Sequence, residues 1–134
     1  MIRQGFHVGR RDWYVMAYYD IRTAADLEDA HEALLAAGCA EAETATEILA
    51  RPDTGYTYTD FGEHLTIILV SHATSAEQMY DTIQHELKHA TEHIGEYYGV
   101  PPRSEQAAYL QGEIARQMFA AAVFAVCPRC NGNL

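Results

Sequence analysis

The chain is poor in several things that would point to particular roles. It has nine Lys and Arg against nineteen Asp and Glu, a formal net charge of −10, and no basic patch along its length. A phosphate backbone would be repelled by that balance, so nucleic-acid binding is not expected. The longest strongly apolar run, Met118 to Cys127, is too short to span a bilayer, and Met1 to Trp13 lacks the apolar stretch of a secretory signal. A soluble, cytoplasmic protein without membrane contacts is the expectation. Cysteine is scarce: Cys39, Cys127 and Cys130 are an odd number and do not read as an oxidised secreted framework. No internal repeat, low-complexity tract or linker marks a second domain. At 134 residues and 49% hydrophobic, the expectation is one domain over residues 1–134 with one core.

Within that frame the patterning changes several times. "DWYVMAYYDI" at 12–21 is rich in aromatic and β-branched residues and predicts a strand. "TAADLEDAHEALLAAG" then switches to helical period through Leu27, Ala30, Leu34 and Ala37, with Thr23 or Asp26 as cap and Gly38 as stop. A short helix over Glu41 to Leu49 should end before Pro52. "GYTYTDFGEHLTIILVSH" alternates, breaks at Gly62 and continues as the apolar run Leu65 to Val70, which predicts a hairpin or two successive strands. A long helix should run from Ser75 to Gly95 or Gly99, and another from Ser104 to Val126, with Pro101 and Pro102 forcing the joint. The fold class expected is α+β: a small mixed sheet of three or four strands packed against the long helix and a C-terminal helix.

The long helix carries "HELKHATEHIGEYYGV" at 85–100. Residues four apart on a helix differ by about 40° in direction and about 6 Å in rise, so His85 and His89 can aim at one point. Glu86 leaves the helix about 100° from His85, yet its side chain can reach a water there. This is the H-E-x-x-H arrangement: two neutral imidazoles hold a zinc ion while the carboxylate takes a proton from the bound water. A third protein ligand is required. Glu105, sixteen residues beyond His89 and at the start of the next helix, ranks first; His93 and Glu92 continue the same helix, and Glu113 is the reserve. Asp81 is placed to orient a ligand imidazole, and Tyr109, four after Glu105, to steady an oxyanion if it faces the site. Each has a plainer alternative: Asp81 as a first-turn charge, Tyr109 as core, His93 as a surface residue, and the histidine pair as a polar helix face. Lys88 reads as a solvent-facing partner of Glu92. "CPRC" at 127–130 is half of a zinc knuckle or a redox pair.

"HELKH" followed by "SEQAAYLQGEI" resembles the zincin metallopeptidases, specifically the gluzincin-like group and the compact bacterial and phage ImmA/IrrE-like proteases. The resemblance covers about residues 62–122. It implies a minimal zincin-like fold, Zn2+ as cofactor, His85, His89 and Glu105 as metal ligands, and Glu86 as general base. The implied function is a zinc-dependent peptidase, a hydrolase acting on a peptide or protein substrate. The alternative it leaves open is an inactive, zinc-stabilised structural or protein-interaction domain of a mobile element. The sequence departs from the family at Leu87 and Lys88, in lacking an "FA" pair after the glutamate motif, and over its first fifty residues. Gly95, six after His89, excludes the metzincin pattern.

Overall fold

The computed structural model describes residues 1–133 in the order β1 (Ile2–His7), β2 (Tyr14–Ile21), α1 (Ala24–Ala36), α2 (Ala42–Leu49), β3 (Gly55–Asp60), β4 (Leu65–Ser71), α3 (Ala76–Tyr97) and α4 (Glu105–Val126). The helices begin where the sequence supplies side-chain acceptors. Thr23 and Asp26 form a reciprocal capping box on α1, Ser75 accepts from Gln78 N–H on α3, and Ser104 accepts from Ala107 N–H on α4. The α+β class is as expected, with a four-stranded mixed sheet in the order β1-β2-β4-β3. β1 is antiparallel to β2, β2 parallel to β4, and β3 antiparallel to β4.

Helices cover both faces of this sheet. Val15, Ala17 and Tyr19 of β2 with Ile68 and Val70 of β4 pack beneath Met79, Ile83, Leu87, Ala90 and Ile94 of α3 and Leu110, Ile114 and Met118 of α4. Tyr18 and Ile21 with Ile67 and Leu69 form the opposite core against Ala30 and Leu34 of α1 and Ala42, Ala45 and Leu49 of α2. The continuous apolar run of β4 is thus explained: a central strand of the sheet is buried on both sides. Strand alternation alone would put Ile21 on the face of Tyr19. Asp20 sits at φ 64°, the β2–β4 register shifts between Tyr18 and Ile21, and Ile21 crosses to the α1/α2 core.

β1 is the element the sequence reading missed. Its residues alternate between part-buried and exposed, and its interior-facing members are few, Phe6 being the buried one. Against β3, α3 runs alongside the strand, setting residues 86–93 of the helix over residues 55–61. β3 is an edge strand, paired only with β4, and all six of its residues are half-buried. No helix among the described residues is long and apolar enough to cross a membrane.

Candidate functional site: an imidazole row beside an open strand edge

α3 has two stripes. The apolar one faces the sheet; beside it His85, His89 and His93 recur every four residues and continue to Tyr97. His85 and His89 turn toward one another with ring centroids 4.7 Å apart and their Nε2 atoms 3.1 Å apart. A bond between two ring nitrogens needs one to carry the proton and the other to accept it. His85 keeps 67% of its side chain exposed, so the pair stands open to solvent.

Glu86 lies between the pair and β3, seated in the angle between α3 and that strand. It is 4% exposed, and one carboxylate oxygen accepts a 2.8 Å bond from the Thr57 hydroxyl. Its second oxygen lies 4.0 Å from His85 Nε2. Burial pushes the Glu86 carboxyl above the usual carboxylate range, against the opposing pull of Thr57 and of the His85 and His89 charges. Gly55 makes this seat possible. A Cβ there would stand 2.7 Å from Glu86 Cγ and 2.8 Å from Oε2, so the strand accepts the carboxylate only because position 55 has no side chain.

His93 belongs to a separate chain of hydrogen bonds. Its Nδ1 is 2.8 Å from Thr59 Oγ1, Thr59 is 2.9 Å from Thr66 Oγ1, and Thr66 accepts a 3.0 Å bond from the indole N–H of Trp13. Burial holds the His93 imidazole below its ordinary 6.5, His89 adding to the effect and Glu92 and Glu96 opposing it. Beyond it the row ends in aromatics. His64 stacks on Trp13 at 5.1 Å, donates or accepts at 2.8 Å with the Tyr97 hydroxyl, and Phe61 lies 6.1 Å from both Trp13 and His93.

The structure brings His85, Glu86 and His89 together, and the remaining site candidates lie elsewhere. Glu105 is exposed at the first turn of α4, and the cleft between that turn and α3 is lined by Lys88, Thr91, Glu92 and Gly95 rather than by the imidazoles. Glu113 lies 3.7 Å from Arg11, while Tyr109 is 77% exposed and lines a cleft with Arg11, Tyr98 and Glu113. Asp81 is exposed on α3. Among the described residues no group of three or more His, Cys, Asp or Glu side chains is placed to hold a metal ion.

That finding corrects the zincin resemblance. A zinc site needs a third protein ligand beside His85 and His89, and among the described residues neither Glu105 nor another His, Cys, Asp or Glu joins them as one. Zn2+ as cofactor, the zinc metallopeptidase (hydrolase) activity and the minimal zincin-like form of the fold are therefore withdrawn. The zinc-stabilised structural or interaction domain falls for the same reason, and with it the phage or mobile-element association, which rested on the resemblance alone. The H-E-x-x-H spacing described local helix geometry correctly but carried no information about the direction of the next helix.

Thr57, Thr59, Thr66 and Gly55 are the site residues that sequence reasoning overlooked. The signal was present in "YTYT", whose alternation puts Thr57 and Thr59 on one face of a strand. Comparison with protein-family models, with curated proteins and with solved structures finds no match to this chain.

Proposed function

We propose that this domain binds an extended segment of a partner protein, which adds as a further strand along the free edge of β3 beneath the imidazole row of α3. The observation that carries the reading is the pairing of an edge strand with a wall of polar side chains along its length. β3 bonds to β4 on one side only, and Glu86 and His93 of α3 follow it from Gly55 to Phe61, with His89 between them on the helix. An unpaired strand edge offers a row of backbone donors and acceptors, and main-chain bonds of this kind give affinity while neighbouring side chains give selectivity. His85 and His89 supply exposed ring nitrogens for carbonyl or carboxylate groups of the incoming segment. Glu86, held by Thr57, fixes the end of the groove. The acidic balance of the chain favours neutral or basic partners through their rate of encounter. Three cysteines, an odd number that does not read as an oxidised secreted framework, support placing the domain in the cytoplasm.

The test is a peptide display of extended segments, with hits followed by amide exchange. Bound peptides should slow exchange at β3 amides between Gly55 and Asp60, and His85→Ala with His89→Ala should weaken binding without unfolding the domain. Protection confined to the α1/α2 side, or hits indifferent to both substitutions, would reject the reading.

A further inference from the structure

The C-terminal turn carries chemistry that peptide binding does not use. α4 ends at Cys127, whose N–H still reaches Val123 O at 2.9 Å, and the chain then doubles back so that Cys127 O accepts from Cys130 N–H at 3.1 Å and Asn131 N–H at 2.8 Å. A carbonyl bonded to the N–H three residues on closes a β-turn, in which the first and last Cα atoms lie within about 7 Å. A disulfide typically spans about 4.4–6.8 Å between Cα atoms, so the turn holds the two cysteines at a bridgeable spacing. The turn is itself pinned: Asn131 is 5% exposed, and its side-chain amide donates to Ala125 O at 2.9 Å. Both thiols are free, Cys130 is exposed and Cys127 partly so, whereas the third cysteine, Cys39, is buried among α1 and α2 residues.

We infer that Cys127 and Cys130 form a redox-active dithiol that reacts with low-molecular-weight disulfides of the glutathione class and closes to an intramolecular disulfide. Cys127 is the attacking sulfur. The neighbouring backbone N–H and thiol of Cys130 and the backbone N–H of Arg129 hold the Cys127 thiol below its usual pKa, while the Cys127 sulfur raises that of Cys130. The Cys127 thiolate attacks one sulfur of the oxidised dimer, a Cys127–glutathione bond forms, and one glutathione thiolate leaves. The Cys130 thiolate then attacks Cys127 Sγ, the mixed disulfide breaks, and the second glutathione leaves. The protein loses two electrons and two thiol protons; the small disulfide gains both electrons and is released as two thiols.

The experiment treats the reduced full chain with oxidised glutathione, quenches by alkylation at successive times and reads intact mass and tryptic fragments. The wild type should lose two alkylatable cysteines, lose two hydrogens in mass and retain no glutathione. Cys130→Ser should stop at the mixed disulfide on Cys127, and Cys127→Ser should be modified at Cys130 at least about tenfold more slowly, since only the thiolate is the nucleophile. Circular dichroism of both variants checks that the turn substitutions leave the fold intact. Equal rates for the two single variants, or stable glutathione adducts on both cysteines of the wild type, would overturn the assignment.

Discussion

Replacing Gly55 by Ala tests whether the seat of Glu86 is as tight as the geometry shows. The added Cβ would meet Glu86 Cγ at 2.7 Å and Cδ at 2.9 Å, against the 3.4–4 Å of ordinary contact, so one of them must retreat by about 0.7 Å. Glu86 is 4% exposed and cannot swing freely, and moving it strains the 2.8 Å bond from Thr57. Overpacking of this kind costs about 1–3 kcal/mol, and losing a hydrogen bond adds about 1 kcal/mol. Against this, Ala in a strand is favoured over Gly by about 0.5–1 kcal/mol. The net expectation is a loss of about 1–3 kcal/mol, or a fall in Tm of about 4 °C per kcal/mol for a chain of this size. Thermal and urea unfolding of Gly55→Ala would measure it, alone and in a Glu86→Ala background. With Glu86 truncated the methyl enters vacated space, and the substitution should become neutral or stabilising by about 0.5 kcal/mol. An equal cost in both backgrounds would refute the steric argument and assign the loss to β3 itself.

Thr66→Val should destabilise by about 1–3 kcal/mol in urea, because it leaves the indole N–H of the buried Trp13 without its acceptor, while Thr66→Ser should be close to neutral. The His93 ring has a pKa depressed by burial, so the unfolded chain takes up its proton first; the stability its neutral form contributes is present above 6.5 and is lost as pH falls toward the lower folded value. His93→Gln should therefore show a shallower loss of urea midpoint below pH 6.5 than the wild type. Chelator and added zinc should leave Tm unchanged, since no third ligand joins His85 and His89; a rise in Tm with zinc that His85→Ala abolishes would reinstate a metal site. Thr23→Ala should cost about 1 kcal/mol by removing the α1 cap, read from the same unfolding curves.

Local signals in the sequence located most of the elements. Thr23, Ser75 and Ser104 start helices because a side-chain oxygen there satisfies an end N–H that no turn of helix can reach, and these caps with the helical period and the Gly and Pro stops set α1, α3 and α4 within a residue or two of their observed bounds. The approach of His85 to His89 was legible for the same reason, since both belong to one rigid helix. β1 was not legible: a short strand at a sheet edge needs few buried side chains, and its alternation is carried largely by part-buried residues. The two-faced sheet, with α1 and α2 opposite α3 and α4, follows from the parallel pairing of β2 with β4, a long-range contact that no local pattern encodes. The same limit governed the site. The turn through Pro101 and Pro102 announces that the chain changes direction, but packing of Leu110, Ile114 and Met118 into the core decides which side of α3 the next helix occupies. That choice set Glu105 apart from the imidazoles, while the packing of α3 itself on the sheet put Thr57 and Thr59 of β3 beside Glu86 and His93, because helix rotation is fixed by burial of apolar area over the whole interface and not by the few polar residues that would make a site.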